Sequence, residues 1–412
     1  MSGKIIYQVF VRNHSVDGDF KSVENDLERI KSLGVNIVYL MPIFTIGEVN
    51  RKGKYGSPYA IKNYFEISKD LGTTDDLISL INKCHQLGMK IILDMVFNHT
   101  SPDNGLINTH KEFYYLKDGK PSNRVGEWSD IIDLNVERED TQQYLLSVLK
   151  HYVGLGIDGF RFDVASLIPL SFFKYARKEL GDNVLFFAES VEESFRKYLR
   201  SINSYCEDDE NLVPTFDLLY NYNYFFEVIG YLKDGNKDSI RKAFEIINRE
   251  NKEHPEILRS NCLENHDTER VASYCKSFEQ LKSITAMFML MRGYAFLYAG
   301  EEYAIKHKPE LFEKDPIPWC EKNQSFEGFI KHIVNIKNSI GDVENQNIKE
   351  IDDSFVFELS FESNNKQYIG LFNLNENKTS LQDYDGLVGK VNLLNNQTIN
   401  SLEIDEPILF FK

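Results

Sequence analysis

Apolar positions along the chain alternate between two rhythms, one dense and β-branched, the other spaced three and four apart. Residues 4–10 form an apolar run that predicts a first strand. Positions 22–33 open with Ser22 as a cap and carry helical periodicity until Gly34 stops it, and residues 36–40 predict a second strand ended by Pro42. Strand, helix and strand within ~35 residues make one right-handed parallel crossover. The unit recurs: helix 74–87 leads into strand 90–96, helix 139–154 into strand 157–163, and helix 170–180 into strand 184–189. Further strands are predicted at 258–262 and 294–298 around helix 278–291, with a weaker one at 213–217. About eight strands alternating with helices predict an α/β fold, a (β/α)8 TIM barrel.

Two stretches break the alternation. Residues 99–135 hold Pro, Gly, Asn and Asp with clustered aromatics (Phe113, Tyr114, Tyr115, Trp128), which predicts an inserted small domain after the third strand. From about residue 347 short alternating strands with polar turns predict a C-terminal antiparallel β domain, a β-sandwich over 347–412. The barrel then takes residues 1–98 and 136–346, with 99–135 inserted into it.

Composition narrows the function classes. The 412 residues carry 47 basic and 63 acidic side chains, a net charge of −16, which disfavours nucleic acid and anionic membranes as partners and leaves a neutral ligand open. Aromatics make up 13% of the chain, and flat rings suit the apolar faces of sugars. Cys84, Cys206, Cys262, Cys275 and Cys320 are odd in number and scattered, without metal or disulfide spacing, and read as free thiols. The chain opens directly into a strand pattern and has no apolar run of 18 or more residues, so the expectation is a cytoplasmic protein that does not enter membranes.

The candidate chemistry begins at Gly159-Phe-Arg-Phe-Asp163. In a strand, Phe160 and Phe162 share one face and Arg161 and Asp163 the other, so two charged groups point where a buried strand offers no solvent. Other polar residues occupy equivalent places. Asp94 ends the third strand with Asn98 and His99 beyond it, Glu189 ends the fifth, and His266 and Asp267 follow the seventh. Singly, each is an ordinary wet strand end; together they ring the barrel mouth where such folds keep their active sites. Converging carboxylates without a metal-ligand cluster point to acid and base work on a glycosidic bond. Arg161 is expected to hold Asp163 ionised as a nucleophile, whereas Glu189, in an apolar strand with no adjacent cation, is expected to be the general acid.

The stretches Asp94-Met-Val-Phe-Asn-His99, Gly159-Phe-Arg-Phe-Asp163, Phe187-Ala-Glu189 and Glu264-Asn-His-Asp267 resemble, in order and spacing, the four sequence regions of the alpha-amylase family, glycoside hydrolase family 13. Ile6-Tyr-Gln-Val-Phe, Tyr59 ahead of Asn63-Tyr-Phe-Glu-Ile, and Leu297-Tyr-Ala-Gly-Glu-Glu302 agree with it. The resemblance implies Asp163 as nucleophile, Glu189 as acid/base and Asp267 as the third carboxylate. It also implies that Asp94, His99, Arg161 and His266 line the subsite of the attacked glucose, that Tyr59 stacks on that ring, and that 99–135 is the family's domain B. Asn98 matches a calcium ligand of the family. Many members carry a lysine and a histidine where this chain has Ser166 and Leu167, which removes the usual leaving-side sugar contact and weakens the case for structural calcium.

The expected function is a retaining hydrolase of α-glucosidic bonds, α-1,4 foremost, in malto-oligosaccharides or starch-type glucans, with no cofactor needed for the chemistry. Transglycosylation, or action on α-1,6, sucrose or trehalose-type bonds through the same intermediate, is the alternative. A non-catalytic sugar-binding protein is the more distant one.

Overall fold

The computed structural model describes residues 4–125 and 128–412, so Gly126 and Glu127 of the expected insertion lie outside the described residues. Eight strands close into a barrel in which every neighbouring pair runs parallel: β1 (Ile5–Val9), β2 (Ile37–Leu40), β3 (Lys90–Met95), β4 (Gly159–Phe162), β5 (Leu185–Ala188), β6 (Leu218–Tyr220), β7 (Arg259–Asn261) and β8 (Tyr294–Tyr298). Strands sit beside their sequence neighbours all the way round, and β8 closes on β1 with Ile5 opposite Ala295.

Burial on both faces explains why the strands read as nearly continuous apolar runs. Ile6, Ile37, Tyr39, Ile92, Phe187, Tyr220 and Phe296 fill the barrel interior. Their alternates, among them Val38, Leu93, Phe160, Phe162 and Phe186, pack outward against the helices. The outward pair Phe160 and Phe162 therefore commits Arg161 to the interior, as the alternation predicts.

Some elements differ from expectation. The first long helix spans Phe20–Ser32 and is capped by Asp19, not Ser22: the Asp19 carboxylate accepts from the Ser22 backbone N–H at 2.8 Å and from its hydroxyl at 2.6 Å. The weak strand expected at 213–217 lies instead at Leu218–Tyr220. The preceding residues wind into the short helix Asp209–Leu212, because the Asp209 carboxylate is drawn into the barrel wall by Arg196 and Arg259, at 3.0 and 2.6 Å. Helices Glu193–Ser201, Tyr222–Asp234, Lys237–Glu253 and Gln324–Ile340 complete the outer layer.

After β3 the chain makes an insertion containing the antiparallel pair His99–Thr100 and Ile132–Asp133 and the small ladder Leu116–Lys117 with Lys120–Pro121. Beyond the barrel, β9 (Glu344–Ile351), β10 (Val356–Ser363), β11 (Lys366–Asn373) and β12 (Ile408–Phe411) form one antiparallel sheet in that order. Two short ladders, Thr379–Ser380 with Glu403–Ile404 and Val391–Asn392 with Gln397–Thr398, accompany it. Phe357 meets Phe244 edge-on at 4.7 Å, which joins this sheet to a barrel helix.

Candidate active site

Adjacent strand ends bring the predicted side chains into one network. On β4, Arg161 lies opposite Asp94 of β3, and one step further the Glu189 N–H donates to the Phe162 carbonyl at 3.0 Å. Asp163 and Glu189 thus emerge side by side at the same end of the barrel. Arg161 is wholly buried, and its Nη1 donates to Asp94 Oδ1 at 2.8 Å and Oδ2 at 3.0 Å, and to Asp163 Oδ1 at 3.0 Å.

The expectation that Glu189 has no adjacent cation is corrected here. Arg161 Nη2 lies 2.9 Å from Glu189 Oε1. That contact is an ion pair rather than an aligned hydrogen bond, since Nη2 has no acceptor along its N–H directions. Two strands that are neighbours in space but remote in sequence supply it. The two acids differ in what they receive: Asp163 takes an aligned bond from Arg161 at 3.0 Å, whereas Glu189 takes an unaligned contact from Arg161 and an aligned bond from the Val164 N–H at 2.7 Å.

Both carboxyls are harder to ionise than a free acid. Burial first, then the Glu189 charge, push Asp163 well up, with Arg161 opposing. Burial also raises Glu189, again with Arg161 opposing and Asp267 adding to the rise. Arg161 thus does not by itself hold Asp163 low, as the sequence led us to expect. With the Glu189 charge raising Asp163, the two acids titrate as a pair, and such a pair holds a single proton over its middle range.

Asp267 differs. Its side chain is 49% exposed into the mouth, and although partial burial opposes ionisation, the His266 imidazole at 3.2 Å and the field of Arg161 bring it down to about 2. Asp267 is therefore a carboxylate that stays charged. His266 is itself fixed from both sides, with Gln8 Nε2 at 2.9 Å from Nδ1 and the Tyr59 hydroxyl at 2.7 Å from Nε2. The Tyr59 ring stacks on the imidazole at 5.3 Å, and its hydroxyl donates to Asp94 Oδ2 at 3.0 Å. Asp94, also bonded by the Tyr39 hydroxyl at 2.6 Å, is wholly buried and reaches the pocket through Tyr59 and Arg161.

His99 Nε2 stands 3.9 Å from Asp163 Oδ2, and burial lowers the imidazole to about 4, so it is neutral at ordinary pH. Asn98 Nδ2 donates to its Nδ1 at 3.2 Å, which leaves the proton on Nε2, facing the site. Trp128, 6.1 Å from the His99 ring, and Phe195, 6.2 Å from Trp128, wall the same side.

The residues around Asn98 do not fit a hard divalent cation. In the crevice beside it, the Asp133 carboxylate already accepts the Arg124 backbone N–H at 2.8 Å and faces its guanidinium at 3.3 Å, and Leu167 contributes an apolar wall. Calcium takes six to eight oxygens, whereas a fixed guanidinium supplies positive charge and no ligand. Among the described residues no group of three or more His, Cys, Asp or Glu side chains could hold a metal ion.

Several participants escaped the sequence reading. Gln8 and Tyr39 occupy inward positions of β1 and β2, a signal the alternation carries. Tyr222, whose hydroxyl accepts from Asn265 Nδ2 at 2.9 Å and which feels the charges of Glu189 and Asp267, had only the aromatic cluster after β6 to mark it. Val164, whose backbone N–H donates to Glu189 Oε2 at 2.7 Å, had none.

Residues 6–354 match the family model for the alpha amylase catalytic domain. The crystal structure of an alpha-amylase from Lactobacillus plantarum superposes with a TM-score of 0.92 at 32% identity, covering 99% of this chain and 98% of that one. Alpha-amylase 2 of Dictyoglomus thermophilum is 24% identical over 373 residues, 81% of this chain and 63% of its own length. The intracellular maltogenic amylase of Bacillus subtilis is 25% identical over 347 residues, 79% of this chain and 56% of its own. The chain thus spans well under two thirds of the latter's length.

Proposed function

The chain belongs to the alpha-amylase family, and from that premise we propose that it is a retaining glycoside hydrolase cleaving α-glucosidic bonds, α-1,4 foremost, in malto-oligosaccharides or starch-type glucans. One observation carries the reading. Asp163 and Glu189 stand at adjacent strand ends around a single buried guanidinium, with the ionised Asp267 beside them.

In this reading Asp163 is the nucleophile and Glu189 the proton donor, the roles that the family's motifs assign to these positions, and the aligned bond from Arg161 Nη1 stabilises the Asp163 anion. Asp163 attacks the anomeric carbon as Glu189 hands its proton to the departing glycosidic oxygen. The Glu189 carboxylate so formed is stabilised by the waiting Nη2 of Arg161. Glu189 then takes a proton from water, which displaces Asp163 from the glycosyl ester, and two inversions return the α configuration. Asp267 and His99 Nε2–H bind sugar hydroxyls, and Tyr59 offers its ring to the glucose face. Asp94 acts by holding Arg161 and Tyr59 in place.

No cofactor is required, since the two carboxyls account for every proton moved. The five cysteines are all free, which suits a reducing compartment, and the intracellular relative supports a cytoplasmic location. A product time course on maltoheptaose, with anomers followed by NMR, tests the reading. Shorter α-anomeric products support it; longer products indicate glycosyl transfer, and β-anomeric products refute retention.

A further inference from the structure

Between the strand carrying the nucleophile and the strand carrying the acid, three hydrogen bonds form a clasp. The lowest is the barrel ladder itself, Glu189 N–H to the Phe162 carbonyl at 3.0 Å. Above it the chain leaves the ladder. Val164 sits at φ 38°, ψ 47°, a left-handed conformation rarely taken by a β-branched residue, and this turns its N–H onto Glu189 Oε2 at 2.7 Å. The third bond comes from a side chain: the Ser166 hydroxyl accepts the Val191 N–H at 3.2 Å.

Ser166 is wholly buried, and its own carbonyl accepts the Glu207 N–H at 2.7 Å. The residue it grips is held at the following peptide too, because the Val191 carbonyl accepts from Arg196 Nη1 at 2.6 Å. Glu189 is thereby gripped at its own N–H, at its carboxyl, and two residues further on. A backbone held in sparsely populated geometry persists where its surroundings over-determine it, and this one points at a reacting group.

We propose that Ser166 is a positioning residue for the general acid, locking the Glu189 loop to the nucleophile's loop so that the Val164 N–H holds Oε2 and fixes the aim of the carboxyl. Position 166 is where the family resemblance leads one to expect a lysine reaching the leaving-side sugar. In this chain the position is turned inward and spent on the acid's own loop. The inference rests on the reading of Glu189 as the general acid.

The test compares Ser166→Ala with the wild type on two substrates. Maltotetraose loses its leaving sugar only if Glu189 protonates the breaking C–O bond, whereas α-maltosyl fluoride expels fluoride ion as the C–F bond breaks and needs no proton. In both, kcat/KM reports formation of the Asp163 ester alone. For maltotetraose kcat/KM is expected to fall about 10- to 100-fold, the scale at which small misplacements of catalytic groups act, and for the fluoride by less than about 3-fold. Their ratio cancels the concentration of folded enzyme, so poor folding does not imitate the effect. An unchanged ratio, whether both rates fall together or neither moves, overturns the proposal while the wild-type activity still stands. A wild type inert on both substrates overturns the hydrolase reading and this inference with it.

Discussion

Asp94→Asn probes the anchor beneath the site. The Asp94 carboxylate is wholly buried and accepts Tyr39 at 2.6 Å, Tyr59 at 3.0 Å and Arg161 Nη1 at 2.8 and 3.0 Å. The asparagine keeps the shape but removes the charge, and its amide N–H2 must face one of these donors. Opposite charges about 4 Å apart interact by about 4 kcal/mol at an effective dielectric constant of ~20. Removing one partner of a buried pair costs about 3–5 kcal/mol, and because Arg161 keeps Asp163 and Glu189 as partners the loss is expected near 3 kcal/mol. The catalytic pair responds in the opposite sense. The Asp94 charge helps raise both Asp163 and Glu189, so its removal eases their ionisation and moves the alkaline limb of kcat/KM to lower pH. Urea unfolding and a pH-rate profile on the same preparation read the two effects. A stability loss under about 1 kcal/mol together with an unmoved alkaline limb refutes the reasoning, because either the pair is not buried or its field does not reach the acids.

Three further outcomes are expected. Glu189→Gln lowers kcat on malto-oligosaccharides by about 10²- to 10⁴-fold while calorimetry still detects sugar binding, and an unchanged rate contradicts the acid role. Lys337 is buried against the Leu290 and Met291 carbonyls, and burial first, then Lys4, lower its ammonium to about 7. With an unfolded value near ~10.4, the protonated lysine costs stability fully below pH about 7, and the cost fades as pH rises from there toward ~10.4. Lys337→Met should therefore raise Tm more at pH 6 than at pH 10, and equal shifts would sink that assignment. A strong calcium chelator should leave Tm and kcat unchanged, because Arg124 already occupies the crevice beside Asn98; loss of activity restored by added calcium refutes this.

The barrel was legible because each strand is buried on both faces, and the site because alternation on β4 aims Arg161 and Asp163 inward. Asp94, His99, His266 and Asp267 were legible as polar residues at strand ends. What escaped was set by packing between distant segments. The Arg161 contact to Glu189 depends on β4 and β5 lying in register, which no local pattern encodes. The sixth strand is three residues long and follows a segment drawn into a short helix by Arg196 and Arg259, so its apolar run carried too little weight. Helix Tyr222–Asp234 is rich in aromatics, which favour strands in isolation, and it is held as a helix by what it packs on. The left-handed turn at Val164 contradicts the preference of its own side chain and appears only in three dimensions.

The central claim is a covalent ester on Asp163, and the measurement that reaches it most directly is mass spectrometry of the enzyme after reaction with a 5-fluoro-α-maltosyl fluoride. The electron-withdrawing ring fluorine slows both steps, and the reactive leaving group lets the first outrun the second. The account predicts one glycosyl adduct per chain, mapped to Asp163 in the peptide carrying Gly159 to Leu167 and lost on added acceptor sugar. Label on a different residue, or turnover of maltoheptaose to β-anomeric products with no adduct, contradicts it.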